Sequence, residues 1–309
     1  MRQGETNLFS RTYHSAVRHF AHATFHVWQK LGVHITPVHY YQPLPDTRRL
    51  NGNLWKRLGA LPGVDLNERF QLDLLSQFVA EYRSEYESFP REKQKEPFQY
   101  YVNCGFFESV DGEILYCMVR HFKPLRIVEI GSGFSTYVSA QAVRRNEQES
   151  AKTCELVACE PYPNNVLKGG FPGLSRLIEK RVEEIPLSEF TGLEENDILF
   201  IDSSHVLKIG ADVQYEFLEI LPRLKPGVLV HVHDIFLPSE YPKDWVLRDL
   251  HFFTEQYLLQ AFLAFNSSFE VLWGASFMHL KHPGELEKAF SSYDKSRVWP
   301  GSFWMRRIR

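Results

Sequence analysis

From Arg126 onward the chain alternates short apolar runs with amphipathic stretches, and this alternation predicts the fold. Ile127-Val128-Glu129-Ile130 is an apolar run of the kind a buried parallel strand needs. It turns through Gly131-Ser132-Gly133 into a helical stretch with Tyr137, Val138 and Val143 among its apolar positions and Ser135 and Thr136 as its expected caps. Further strands are predicted at about 155–159, 177–180, 197–201 and 228–232, with a helix over 208–221. A long helix over about 245–265 precedes a strand at 269–273, and Ser302-Phe303-Trp304-Met305 reads as a last strand. Strand alternating with helix predicts an α/β fold, a parallel sheet covered on both faces. In such sheets ligands bind beyond the carboxyl ends of the strands, near the switch in strand order.

The first 122 residues read differently, as a helical and extended cap on a core formed by 123–309. Helices are predicted over 9–31, 67–88 and 112–121, the last ended by Lys123-Pro124. In the first, Val17, Phe20, Ala21, Phe25 and Trp28 recur at three- and four-residue steps. His19, His22 and His26 share a face, as metal ligands or as ordinary surface histidines, and the basic, aromatic helix suits either packing or a membrane surface. The segment 34–49, with Pro37, Pro43 and Pro45, is an extended arm, wrapped over the core or forming a wall of an acceptor pocket. Tyr100, Tyr101 and Asn103 are placed to reach a ligand.

Composition narrows the class. A net charge of −3 over 309 residues shows no global bias toward nucleic acid or an anionic membrane. The four cysteines form no C-x-x-C pair, no signal peptide begins the chain, and no apolar run reaches the roughly 18 residues of a membrane span. A soluble cytoplasmic protein with reduced thiols is the expectation.

A strand, a glycine turn and a helix N-terminus make a site for an anionic ligand group, because glycine admits the ligand to the backbone and free N–H groups favour negative charge. Dinucleotides and S-adenosylmethionine both use this geometry. The dinucleotide fingerprint G-x-G-x-x-G is broken here at Thr136. The run Glu129-Ile130-Gly131-Ser132-Gly133, E-x-G-x-G, resembles the class I methyltransferases instead. The resemblance implies a Rossmann-like sheet, mostly parallel with an antiparallel last strand, and S-adenosylmethionine as cofactor. It implies that Glu129 faces the amino end of the cofactor's methionine part. Gly131, Ser132, Gly133, Ser135 and Thr136 would pass along its body, and Asp202 would border it. Glu160, ending the second strand, is suited to accept hydrogen bonds from both ribose hydroxyls.

Two later strand ends carry the other candidate chemistry, Asp202-Ser203-Ser204-His205 and His231-Val232-His233-Asp234. Each follows a run too apolar to be exposed, so the aspartates belong at a pocket rim. An O-methyltransferase must remove a hydroxyl proton, through a divalent cation held among carboxylates or through a histidine base. The block 197–238 resembles the metal-dependent macrolide-sugar O-methyltransferases. That resemblance implies catalytic roles for Asp202 and His205, with His205 as base, and a metal set of Asp202, His233 and Asp234. His233 stands where those enzymes carry a second acid, which moves the metal preference from magnesium toward manganese, iron or zinc. The acceptor implied is a sugar or glycosylated metabolite. His205 as a mere cap of the helix over 208–221 stays open, as does the placement of Glu255, at the site or in a homo-oligomer contact. Two rival functions also stay open: a metal-dependent hydrolase or hydroxylase-like enzyme using the Asp/His cluster, and a non-catalytic cofactor-binding module.

Overall fold

The computed structural model describes residues 3–102, 104–150 and 152–309, so Asn103 lies outside the described residues. Among these, seven strands form one sheet: β1 Arg126–Ile130, β2 Glu155–Cys159, β3 Arg176–Ile178, β4 Ile198–Ile201, β5 Leu229–Val232, β6 Phe269–Gly274 and β7 Phe303–Arg307. Their order is β3-β2-β1-β4-β5-β7-β6. The first five strands run parallel, and β7 lies antiparallel between β5 and β6. This is the mostly parallel sheet with an antiparallel last strand that the sequence predicts.

Both faces are buried, which is why the strands read as continuous apolar runs. The pleat sends Ile127 of β1 into one core layer and Val128 and Ile130 into the other. Strand order reverses between β1 and β4, so the carboxyl ends of these neighbours form the crevice where ligand binding is expected.

Packing divides the chain elsewhere than at 122. One compact unit comprises Arg57–Lys243 with Phe253–Arg309, the other Met1–Lys56 with Asp244–Phe252. In the larger unit, α2 (Glu68–Tyr86) and α3 (Asp111–Phe122) cover one sheet face. Leu74, Leu75 and Phe78 share their core layer with Ile114, Leu115 and Ile127, so residues 57–122 are structurally part of the sheet domain. Buried Gln71 ties α2 to the end of β6, donating to the Leu66 carbonyl at 2.6 Å and accepting from the Gly274 N–H at 2.8 Å.

In the smaller unit, α1 spans Gln3–Lys30, and the arm over 34–49 is extended only at its start: it turns at 40–44 and ends in a single helical turn, Thr47–Arg49, capped by Asp46. Ala21 is buried, Phe25 and Trp28 are half-buried, and Val17 and Phe20 are exposed. His19, His22 and His26 are exposed and belong to no metal-capable group among the described residues. No helix among the described residues is long and apolar enough to cross a membrane.

Two helix predictions are corrected. The long helix over 245–265 is two helices, Lys243–Leu247 and Glu255–Leu263. Leu250 between them adopts φ +59, which a helix does not accommodate. The second helix begins where it does because the Thr254 and Glu255 N–H groups donate to the His205 carbonyl at 2.9 and 3.1 Å. The helix predicted over 208–221 starts only at Asp212, whose carboxylate accepts from the Ser204 N–H and hydroxyl, and it widens after one turn. His205 therefore does not cap the helix that follows it in sequence; its carbonyl instead receives the first N–H groups of Glu255–Leu263.

Candidate functional site

The glycine turn after β1 is built around one close approach. Gly131 adopts φ +78, and a Cβ there would sit 1.8 Å from the Asp202 carbonyl oxygen. The backbones are locked in that contact by the Asp202 N–H donating to the Ile130 carbonyl at 2.8 Å and the Gly131 N–H donating to the Cys159 carbonyl at 3.0 Å. Any larger residue would push the two strand ends apart. Gly131, Glu160, Tyr162, Arg181, Asp202 and Asp212 are among the residues lining a cavity of about 400 Å3 at this crevice.

Glu160 is aimed by the backbone: its carboxylate accepts from the Ser132 N–H at 3.3 Å and the Tyr162 N–H at 2.8 Å. Gly133 ends the loop in an extended conformation, and α4 (Phe134–Glu149) starts behind it. Ser135 and Thr136 are buried and act as supports. The Ser135 hydroxyl donates to Glu129, and the Thr136 hydroxyl oxygen accepts from the Gly133 N–H at 2.9 Å. The predicted caps thus lie inside the first turn of α4.

Glu129 is wholly buried, and its second carboxylate oxygen has no hydrogen-bond partner among the described residues. Burial pushes its carboxyl up to about 8. A buried carboxylate with one unpartnered oxygen beside a glycine loop could receive a ligand ammonium, and the loop and Glu160 could hold the remainder of S-adenosylmethionine. The native state therefore binds a proton here that the unfolded chain releases near its ordinary carboxylate pKa. Without ligand, this contribution to stability is complete at low pH and is lost as pH rises toward 8. Glu129→Gln is expected to flatten that slope. Relative to the wild type it gains on the order of a few kcal/mol between pH 5 and 8, read by urea denaturation at both values.

On the far side of the β1–β4 crevice, Asp202, His205 and Asp234 converge. Their donor atoms lie within 4.8 Å of one another. His205, at φ +60, is enclosed; its Nε2 lies 3.3 Å from Asp202 Oδ1 and 3.4 Å from Asp234 Oδ2. Its Nδ1 lies 2.9 Å from Glu255 Oε2. Burial would lower the imidazole's pKa, but hydrogen bonds to Asp202 and Glu255 and the charge of Asp234 hold it well above its ordinary value. Burial would raise Asp202, yet the neighbouring His233 and His205 keep it below the usual carboxylate range. Burial raises Asp234 and Glu255.

The structure groups His205, not His233, with the two aspartates. The pleat of β5 turns His231 and His233 to one face, where His233 packs on Phe107 at 4.9 Å and His231 stacks on Phe200 at 3.8 Å. Asp234, at φ +54, turns back toward His205, while His233 Nε2 stays 3.7 Å from Asp234 Oδ1.

Three acids around the site carried little or no sequence signal. Glu255, left between site and subunit contact, is the partner of His205. Glu216 is buried, accepts from the Ser203 hydroxyl at 3.1 Å and is pushed well up by burial. Asp111 reads in the sequence only as a helix start. It is buried, accepts from the Gly301 and Ser302 N–H groups at 2.9 Å each, and shares its electrostatic environment with His233.

Residues 128–235, from β1 to just past β5, match a family described as a methyltransferase domain. An uncharacterized protein of Archaeoglobus fulgidus is 32% identical over 180 residues, covering 55% of this chain and 78% of that protein. Among solved structures, the O-methyltransferase from Bacillus cereus in complex with SAH aligns over 77% of this chain and 91% of its own, at 13% identity and a TM-score of 0.37. A putative protein-L-isoaspartate O-methyltransferase from Plasmodium falciparum, with S-adenosyl-L-homocysteine, aligns over 53% of this chain and 83% of its own, at 16% identity and a TM-score of 0.32.

Proposed function

We propose that this chain, which belongs to the class I S-adenosylmethionine-dependent methyltransferases, methylates an oxygen of a small molecule, a sugar or glycosylated metabolite. The observation that carries the oxygen as target is His205, its Nδ1 held by Glu255 and its Nε2 set between Asp202 and Asp234, beside the cavity that Gly131, Glu160 and Asp202 line. The cofactor, when bound, supplies an electrophilic methyl group on a sulfonium. Glu129 would meet its ammonium, Glu160 its ribose hydroxyls, and Gly131 to Gly133 would border its body.

His205 would take the acceptor's proton at Nε2, with Nδ1–H donating to Glu255 throughout. In the ligand-free protein Asp202, Glu255 and Asp234 raise the imidazole's pKa well above its ordinary value against the effect of burial. Engagement of Asp202 and Asp234 by the acceptor hydroxyl would draw their charge away and lower the imidazole's pKa, so that Nε2 releases its proton to solvent and can accept the hydroxyl's. Positioning supplies most of the rate, since displacement at a methyl group needs no covalent help from the protein.

The closeness of Asp202 and Asp234 beside His205 supports a second element, a divalent cation held by the two carboxylates, with Nε2 of His205 kept for the proton. A carboxylate set of this kind suits magnesium or manganese. The test incubates the protein with methyl-labelled S-adenosylmethionine and a panel of monosaccharides, glycosides and catechols, with EDTA or with added magnesium or manganese. Label found on product oxygen supports the proposal, and label found on nitrogen or carbon contradicts it. Turnover abolished by EDTA and restored by metal supports the cation; undiminished turnover in EDTA excludes it.

A further inference from the structure

We infer that Phe106 and Phe134 form a stacking platform for the methyl acceptor, selecting an acceptor whose hydroxyl is carried on a ring with a flat apolar face. This rests on the methyltransferase reading above. Phe106 is 79% exposed, although the next residue, Phe107, is buried. It lies nearly parallel to Phe134, with 10° between the ring planes and centroids 5.6 Å apart. Tyr101 closes the edge of Phe134 at 5.7 Å, nearly perpendicular.

The exposure is held in place on both sides of the residue. The Cys104 thiol donates to the Phe107 carbonyl and accepts from the Phe107 N–H, both at 3.2 Å. The Tyr100 hydroxyl donates to that same carbonyl at 2.8 Å, and the Gly105 N–H donates to Glu108. A loop whose backbone is fixed on both sides of Phe106 presents that ring with the backbone's ordering entropy already lost.

Its position ties it to the reaction. Phe134 directly follows the glycine loop, as the first residue of α4. The next residue after Phe106, Phe107, is anchored on His233, which adjoins Asp234. The loop 104–108 therefore touches both the start of α4, through Phe106, and His233, through Phe107, between the glycine loop and the Asp/His cluster. An aryl ring and the apolar face of a pyranose both present the required flat surface.

The test is ligand-observed saturation-transfer NMR on the protein loaded with S-adenosylhomocysteine, using phenyl β-D-glucopyranoside, which carries both rings. The expected result is saturation transfer concentrated on one ring, identifying an aryl-type or a sugar-type acceptor. Affinity should fall roughly three- to tenfold in Phe106→Ala, the range of one aromatic stacking contact, and return in Phe106→Tyr. Equal binding by the wild type and Phe106→Ala, or no saturation transfer to the wild type, overturns the platform. Calorimetry of S-adenosylhomocysteine on the same samples separates the two failures. Cofactor binding without ring binding removes the platform alone, and absent cofactor binding removes the reading beneath it.

Discussion

His205→Ala is expected to lower methyl transfer by about 10²- to 10⁴-fold, the usual contribution of a positioned general base, while S-adenosylmethionine still binds. His205 reaches the aspartates through Nε2 and Glu255 through Nδ1, so its loss removes the proton acceptor and leaves three buried or half-buried carboxylates facing one another. Part of the effect will appear as lost stability, because the imidazole balances that charge. Single-turnover rates on protein shown to be folded by circular dichroism separate the two. A variant that keeps more than about a tenth of the wild-type rate would remove His205 from the role of base.

Gly131→Ala is expected to be the most damaging single substitution at the cofactor loop. Two penalties coincide there: a side chain forced to φ +78, and a Cβ 1.8 Å from the Asp202 carbonyl oxygen, with both backbones tied to neighbouring strands through the Asp202 and Gly131 N–H groups. Each belongs to the mechanisms behind destabilisation of more than about 4 kcal/mol. The expected outcome is a protein that unfolds at much lower urea, or folds with the cavity closed and binds no cofactor. Gly133→Ala is the control. Gly133 is extended, and nothing lies within 4 Å of its added Cβ, so stability should be unchanged. Lost cofactor binding in stable Gly133→Ala would place the ligand against that loop, and equal damage from both substitutions would contradict the close-approach account.

The sheet was legible because a doubly covered parallel strand must be apolar on both faces. Runs such as 127–130 and 198–201 have few other uses in a chain of this length. The antiparallel position of β7 followed from the resemblance to the methyltransferases, not from periodicity. Helix ends were less legible, since long-range contacts set them: the helix Glu255–Leu263 begins where the His205 carbonyl receives its first N–H groups, fifty residues away in sequence. The same distance hid the choice between His205 and His233. Both follow apolar strands, and only the pleat of β5 with the φ of Asp234 decides which imidazole meets the aspartates. Asp111 was invisible because its partners are backbone N–H groups of a loop 190 residues later.

The measurement that bears most directly on the account is calorimetric titration of the protein with S-adenosylmethionine, repeated on Glu160→Ala. Glu160 is held toward the cavity by two backbone N–H groups, and losing a charge-assisted pair costs about 1.5–3 kcal/mol. The account predicts binding in the micromolar range, weakened about tenfold or more in the variant. No heat and no thermal shift with the wild-type protein, or equal affinity in the two, would contradict it.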